Sequence, residues 1–510
     1  MVAISTCVQN DLAVNWMKAT FKPVHKGAIA MFEEAFDLFA KAAPATVMIR
    51  GLLENILSAP RLDAIFEAAA ETQYTRKLAF SSVVRLMSQV VMRIQPSPHA
   101  AYRGQAEELD VSAKCVYDKL EGIEPIVSRE LLSRTAREME LVIKTMGSER
   151  VGLLPGFRTK ILDGNHLAGT DRRLKPLRGQ KGSALPGQAL AVLDPALKLV
   201  IDLFPCEDAY TQERALVPQV LETVERNDFW IADRNFCTTV FLFGVSRKQA
   251  FFLVRQHAQS LRWKVLEEPV FTGEIAAGRV FQQPVCVLDE NGVELLLRRI
   301  RIELRQPTRD GEKILHLLTN LAPTDADALS GAGLYCERWQ IETAFQELTV
   351  DLACEVQTLG YPKAALFAFA VAVVCYNAFS VIKAALRTQQ STPSAVPPHG
   401  SDSPVPRRKK AAAASAMSDE LSTYYLASEI AGNWQGMTVV LPDTFWEKKF
   451  AALNTGDLAR CLTELAGRAD VSKYRKRPPS PKRSPQQSPC QPGSHVSTAR
   501  MLKIAKYKLK

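Results

Sequence analysis

Three acidic residues stand where their surroundings predict chemistry rather than plain surface charge. Asp163 follows an apolar run that begins at Arg158, and Asp233 closes the run Phe-Trp-Ile-Ala-Asp. Acids at the carboxyl ends of buried strands project into the crevice where α/β sheets hold ligands. For Asp163 or Asp233 taken alone, the alternative is an Asp that caps a turn. With Glu342 as a third acid from a separate segment, the chain has the minimum needed to fix two hard cations about 3.5–4 Å apart.

The segment around Glu342 is predicted to form one helix whose faces differ in chemistry. At about 100° per residue, its core face carries the apolar residues Leu334, Ile341, Phe345, Leu348 and Leu352. The stripe beside that face carries Tyr335, Arg338, Glu342 and Thr349. The acids Glu337, Glu347 and Asp351 are predicted to point towards water. A carboxylate, a guanidinium and a phenol beside a buried face are an arrangement that a site in a crevice would need. The other interpretation is an ordinary i, i+4 ion pair between Arg338 and Glu342.

The elements that must position these residues predict a mixed α/β core. Strand-like apolar runs occupy 158–163, 189–194, 197–204, 229–233 and 251–256, and a helical pattern separates the third run from the fourth. Pro195 and Ala196 separate two of the runs, which predicts a hairpin. Several strands followed by a helix and further strands are typical of an α/β fold.

Between the second acid and the third, the chain alternates apolar and polar residues from 257 to 325. Turn signals at Thr272-Gly273, Asn291-Gly292 and 309–311 predict a β-rich, antiparallel insertion. Trp263 in this insertion could stack on an unpaired base near a cut, but packing within the small sheet is the favoured interpretation.

The chain before the core is predicted to be all-helical, because apolar residues recur there at three- and four-residue spacing. Residues 105–120 resemble a helix-turn-helix, with Asp110 at the turn and Ser112 as the N-cap of the second helix. Two short amphipathic helices also produce this pattern by chance, so DNA reading by this segment is one of two interpretations.

These patterns divide the chain into segments of different character. We expect a helical DNA-binding domain over 1–150, an α/β catalytic core formed by 151–257 and 326–386, and a β-rich insertion over 258–325. The composition after the core predicts a flexible linker at 387–417, a helical region at 418–470 and a basic disordered tail at 471–510.

The positive charge of the chain is concentrated in that tail. The net charge is +10, and residues 471–510 hold eleven Lys or Arg with no Asp or Glu. The rest of the chain therefore has 53 basic and 54 acidic side chains. A basic tail on a neutral body is typical of arms that hold nucleic acid through phosphate contacts, and a solvated, solubilising tail is the alternative.

Other classes of protein fit the sequence less well. The ten cysteines form no C-x-x-C pair and the seven histidines show no ligand spacing, so neither a zinc site nor a disulfide framework is predicted. We expect a cytoplasmic protein with no membrane partner, since the N-terminus lacks an export signal. The uncharged run 364–382 is long enough to cross a bilayer, but alanine-rich composition and a central Tyr376-Asn377 favour a helix buried in a large domain.

Three segments together resemble one known family. ILDGNHLAGTDRRLKP, FWIADRNFCTTVF and LYCERWQIETAFQEL occur in this order, with the β-rich stretch between the last two. They resemble the insertion-sequence transposases of the DDE class over roughly residues 155–385. The resemblance implies an RNase H-like catalytic core with Asp163, Asp233 and Glu342 as its metal-binding, catalytic triad. It also implies that Tyr335 and Arg338 grip the DNA end.

The resemblance further implies two Mg²⁺ ions, with Mn²⁺ as an alternative, and double-stranded DNA as the partner. That DNA would be the terminal inverted repeats and the target, held by a dimer in the synaptic complex. One position departs from the family signature, because Thr349 stands where a Lys is usual and offers a phosphate only a hydroxyl. Two alternatives remain open, namely an RNase H-like nuclease without strand transfer and an inactive, transposase-derived DNA-binding protein.

Overall fold

The computed structural model describes residues 28–73, 77–171, 173–180, 182–257, 261–308, 311–390, 420–477 and 495–508. The predicted linker lies almost wholly outside these ranges, as do the middle and the last two residues of the basic tail. The described chain is a mixed α/β protein with a helical N-terminal region, and this confirms the predicted fold class.

The N-terminal region is helical because apolar residues recur along most of its helices and bury one side of them, while the helix Pro44–Ile56 is buried on all sides. Its helices are α1 (Ala28–Ala42), α2 (Pro44–Ile56), α3 (Ala59–Ala69), α4 (Phe80–Val91), α5 (Pro98–Gly104), α6 (Ala106–Leu109), α7 (Ala113–Gly122) and α8 (Pro125–Thr145). Between α6 and α7, Asp110 takes a left-handed turn at φ +46°, and Ser112 caps α7 by accepting a hydrogen bond from the Cys115 amide. The geometry expected for this segment is therefore present, while DNA reading by it stays a prediction.

The core sheet begins with five strands in the spatial order β4-β3-β1-β5-β6. Its elements in chain order are β1 (Arg158–His166), the short β2 (Ala184–Leu185), β3 (Gln188–Asp194), β4 (Leu199–Cys206), α9 (Val217–Glu222), β5 (Asp228–Ala232), α10 (Thr239–Arg247) and β6 (Phe251–Arg255). The predicted hairpin is formed by β3 and β4. Strand β1 pairs antiparallel with β3 and parallel with β5. Strands β5 and β6 are also parallel.

The insertion continues this same sheet rather than forming a separate one. Its strands are β7 (Arg262–Val265), β8 (Val270–Ile275), β9 (Gly278–Leu288), β10 (Glu294–Leu304) and β11 (Ile314–Thr319), and β11 pairs with β6. The predicted turn at Asn291-Gly292 joins β9 to β10. The turn predicted at Thr272-Gly273 is wrong, because Gly273 forms a bulge inside β8. Trp263 is half-buried with the Arg299 guanidinium 4.6 Å from its ring centre, which agrees with packing.

After the insertion come α11 (Ala328–Cys336), α12 (Trp339–Val350) and the long α13 (Pro362–Gln390). Among the described helices only α13 is long and apolar enough to cross a membrane, and its apolar window is entirely buried inside the protein. The expected buried helix is thus confirmed. Its polar Asn377 binds the edge strand β4, because its side-chain amide exchanges two hydrogen bonds of 2.8 Å with the backbone of Val200.

The N-terminal helices and the core share one continuous apolar cluster, with α13 packed against both. Arg129 of α8 also donates two 3.0 Å hydrogen bonds to the carboxylate of Asp202 on β4. Because two parallel N–H···O bonds fix orientation as well as distance, this pair holds the helical region in one position on the sheet.

The C-terminal region adds α14 (Thr423–Val440), α15 (Asp443–Trp446), α16 (Thr455–Ala466), β12 (Val496–Ser497) and α17 (Thr498–Lys508). The described parts of the segment expected to be a disordered tail are instead ordered. Tyr474 is buried, β12 pairs with β2, and Arg500 on α17 lies 2.7 Å from Asp208. These contacts join residues that are distant in the chain, so composition alone could not reveal them.

Candidate active site

Two neighbouring strands bring Asp163 and Asp233 to the same end of the sheet. The parallel pairing of β1 and β5 ends at the pair Leu162 and Ala232, and the two acids are the next residue on each strand. Asp233 leaves the sheet, as predicted. Asp163 does not end its strand, because β1 continues to His166 along its antiparallel partner β3. The Asp163 side chain is nevertheless adjacent to the point where β5 turns away.

The third acid lies on a helix that is shorter than the sequence predicts. The expected single helix is divided into α11 and α12, with a break at Glu337 and Arg338. The amide of Arg338 bonds the carbonyl of Tyr335, and the amide of Ile341 bonds the carbonyl of Arg338, so the chain turns more tightly here than an α-helix does. This break places Arg338 immediately before α12, the helix that carries Glu342.

Arg338 joins two of the three acids directly. Its Nη1 donates to Asp163 Oδ2 and its Nη2 donates to Glu342 Oε1, both at 2.6 Å. The side chains of Arg338 and Asp163 are only 12% and 17% exposed, so the pair is largely screened from water. Burial alone would lower the pKa of Arg338, but the carboxylates, above all Asp163, raise it above its usual value. The guanidinium therefore stays charged.

Tyr335 completes this group from the last turn of α11. Its side chain is buried, and burial raises the pKa of its phenol, with the negative charge of Asp233 acting in the same direction. The structure thus brings together all five predicted site residues, Asp163, Asp233, Tyr335, Arg338 and Glu342.

A fourth acid, Glu213, lies beside the group and was missed by the sequence analysis. Its carboxylate accepts a 3.0 Å hydrogen bond from Asn235, two residues after Asp233. A side chain at Gly164 would meet it, since an added Cβ would lie 1.9 Å from Glu213 Oε1. Glu213 belongs to no apolar strand and to no helical stripe, so no local pattern singles it out.

The crowding of acids changes the proton affinity of Asp163. Burial raises the pKa of its carboxyl to about 7, and the negative charges of Asp233 and Glu213 act in the same direction. Arg338 and the amide of Gly164 oppose this change but do not cancel it. The carboxylates thus share a half-buried space in which added positive charge would be stabilised.

Two other predictions for α12 have different outcomes. Glu347 was expected to point towards water, and this is wrong, because its carboxylate is held 3.1 Å from the buried Lys383 and 2.6 Å from Thr423 Oγ1. The helix packs there against α13 and α14, which the helical periodicity could not show. Thr349 is exposed, and its hydroxyl donates to the Phe345 carbonyl.

Within the described ranges, no three or more His, Cys, Asp or Glu side chains are arranged to hold a metal ion. Asp163 and Glu342 are not arranged as metal ligands because the Arg338 guanidinium lies between their carboxylates. Its two 2.6 Å contacts occupy one oxygen of each carboxylate, and the other oxygen of Asp163 accepts a hydrogen bond from the Gly164 amide. Metal binding through the two oxygens that Arg338 contacts therefore requires the guanidinium to move.

The basic helix α17 lies near the same part of the molecule. Strand β12, directly before it, pairs with β2, which lies between β1 and β3 in the chain. Lys503 and Lys506 on α17 are exposed, whereas Arg500 binds Asp208. The described end of the basic tail is thus docked on the core with exposed cations.

Comparisons with known proteins found a matching family model and similar solved structures. No curated protein matches the chain. One similar solved structure is the cryo-EM structure of the piggyBac transposase synaptic complex with hairpin DNA, at 10% identity and a TM-score of 0.35, covering 84% of this chain and 86% of that one. The family model of the transposase DDE domain matches residues 160–377, a range that includes all three acids. Over these residues the chain is similar to the DDE transposases.

Proposed function

We propose that this chain is a DNA transposase that binds terminal inverted repeats, cleaves at the element ends and joins them to target DNA. The observation that carries the proposal is the convergence of Asp163 and Glu342 on one guanidinium, next to Asp233 on the adjacent strand. The matching family model supports the same conclusion.

In their ligand chemistry the three acids suit the divalent metal that this reaction needs, once the Arg338 guanidinium no longer lies between Asp163 and Glu342. All three offer hard carboxylate oxygens, which Mg²⁺ and Mn²⁺ prefer, and two of them already stabilise one positive group. Asp163, Asp233 and Glu342 would hold two ions, whose contribution is to activate water or a DNA 3′-hydroxyl and to stabilise the leaving oxygen. Glu213 would add negative charge beside Asp163.

Arg338 and Tyr335 would act on the DNA rather than on the metal. The Arg338 guanidinium now binds two carboxylates, and we propose that it turns to a phosphate of the DNA end when metal replaces it. A guanidinium suits this exchange because it binds carboxylate and phosphate with the same paired geometry. Buried Tyr335 contacts Arg338 and would fix the direction in which it turns.

DNA binding would use surfaces outside this group. The α6–α7 segment offers a capped second helix for the inverted repeat, and the exposed Lys503 and Lys506 of α17 offer phosphate contacts. Two copies of the chain would hold the two ends of an element in the synaptic complex. We propose action on DNA in the cytoplasm.

One assay tests the proposal against a nuclease without strand transfer and against an inactive derivative. A labelled duplex that ends in the inverted repeat is incubated with the protein, a target plasmid and Mg²⁺, and both cleaved and joined products are measured. A transposase gives both products only with metal present. Cleavage without joined product would contradict the proposal in favour of a nuclease, and binding without cleavage would favour the inactive derivative.

A further inference from the structure

A cavity of about 170 Å³ lies on another side of α12 from the acids. Gln340, Thr343 and Glu347 line it, and at 3.6 residues per turn they lie roughly 100–160° around the helix from Glu342. Its remaining wall comes from distant parts of the chain, namely the segment before β1, the β3–β4 turn, α13 and the C-terminal region. The cavity therefore joins the helical region, the core and the C-terminal region.

The charge of this cavity is strongly positive. Two carboxylates line it, Glu347 and Glu420, against the five cations Arg150, Lys198, Lys383, Arg387 and Lys476. Both carboxylates are already engaged, because Lys383 and Lys476 lie 3.1 Å and 3.3 Å from Glu347, and Lys476 lies 2.9 Å from Glu420. The cations of the cavity therefore outnumber its carboxylates by three, and Lys198 also donates a hydrogen bond to the side-chain oxygen of Gln340.

The crowding of positive charges lowers the pKa values of cations that line the cavity. Burial, together with the nearby Arg150, lowers the pKa of Lys198 to about 8, although nearby carboxylates act in the opposite direction. Burial and Arg150 likewise lower the pKa of Arg387 to about 10. The Nε of Arg150 is buried with no hydrogen-bond partner in the described structure. Lys198 is also held at φ +58°, a backbone conformation that few non-glycine residues adopt.

We propose that this cavity is a phosphate-binding site, which takes up a phosphate group of the DNA backbone or of a small free phosphate compound. Guanidinium and ammonium groups that converge from separate elements suit an anion with several charged oxygens. The bound group would reach Gln340 and Thr343, and thereby contact the helix that carries Glu342. The proposal is independent of cleavage, since none of the five cations is part of the acidic site.

Titration of the full chain with inorganic phosphate tests the site without any measurement of activity. The experiment is done by calorimetry in EDTA and compared with sodium chloride at the same ionic strength. Wild-type protein should bind phosphate and gain thermal stability beyond the chloride control. Lys198→Gln should bind phosphate about tenfold more weakly or worse, since one charged hydrogen-bond donor is lost.

The matched control is Lys264→Gln, which removes the same charge from an exposed lysine of the insertion and should bind phosphate like the wild type. Without phosphate, Lys198→Gln should unfold at the same temperature as the wild type or higher, because like-charge crowding is relieved. Displacement of phosphate by a short duplex would identify DNA as the source, whereas duplex binding without displacement would identify a free phosphate compound. No phosphate effect beyond chloride, or unchanged affinity in Lys198→Gln, would overturn the proposal.

Discussion

Arg338 lies 2.6 Å from the carboxylate of Asp163, although 175 positions separate them in the chain. The same guanidinium binds Glu342. Two of the three acids that would hold metal are therefore already paired with one cation of the protein itself. We infer that this guanidinium and a divalent metal compete for the same oxygens.

This competition predicts a specific behaviour for Arg338→Ala. Removal of the guanidinium frees both carboxylates, so Mn²⁺ should bind the DNA-free variant more tightly than the wild type, by about tenfold. Cleavage should nevertheless fall at least about tenfold, because the phosphate grip is lost. Calorimetry with Mn²⁺ and a cleavage assay measure the two effects. Equal Mn²⁺ affinity in the two proteins would contradict the competition.

Thr349 provides a test of the departure from the family signature. Its side chain is exposed, donates to the carbonyl one turn before it and accepts a weak 3.8 Å hydrogen bond from Cys354 Sγ. Thr349→Lys should therefore change the free energy of unfolding by no more than about 0.5 kcal/mol. Cleavage should stay the same or rise severalfold as a charge becomes available to phosphate. Complete loss of cleavage in a folded variant would show that the hydroxyl itself is needed.

The docked helix α17 makes a charge substitution more informative than a deletion. Deleting 471–510 would remove the buried Tyr474 and the Lys476–Glu347 contact, and would therefore disturb the fold. Replacing the exposed Lys503 and Lys506 with Gln should instead reduce the slope of log affinity against log salt by roughly 1.8, at 0.9 per phosphate contact. Preference for the inverted repeat should be retained. An unchanged slope would show that this helix does not contact DNA.

His316 gives a pH dependence of stability. Burial, together with Arg299 and Arg301, lowers the pKa of its imidazole from 6.5 to about 4. Between pH 6.5 and 4, His316 is therefore protonated in the unfolded chain but mostly neutral in the folded chain. The free energy of unfolding consequently decreases as the pH falls through this range. In His316→Gln the melting temperature should fall less over this range than in the wild type. If the melting temperatures of the variant and the wild type changed equally with pH, this assignment would be contradicted.

The sequence predicts those parts of the structure that depend on local pattern. Asp163 and Asp233 could be found because each follows an apolar run that had to be a buried strand. The stripe of Tyr335, Arg338 and Glu342 could be found because helical geometry fixes neighbours three and four residues apart. Even the break before Trp339 leaves these three on the side that faces Asp163.

The contacts that the sequence could not predict are those between segments far apart in the chain. Glu213 enters the site only because Gly164 leaves room for it. Glu347 is held away from solvent by its ion pair with Lys383, which belongs to a different helix. The described end of the tail is ordered through β12 and its pairing with β2, and two-residue strands carry no periodic signal.

The most direct test of the central claim compares two acids, Glu337 in the break between α11 and α12 and Glu342 on α12. Glu342→Gln keeps the shape of the side chain but removes a charge from the proposed metal site, whereas Glu337→Gln makes the same change outside it. Each variant is assayed for metal-dependent cleavage of an inverted-repeat duplex, with Asp163→Asn and Asp233→Asn alongside. We predict that Glu342→Gln and both Asp variants lose cleavage while binding the duplex normally, and that Glu337→Gln cleaves like the wild type. Wild-type cleavage by Glu342→Gln, or its loss in Glu337→Gln alone, would contradict the account.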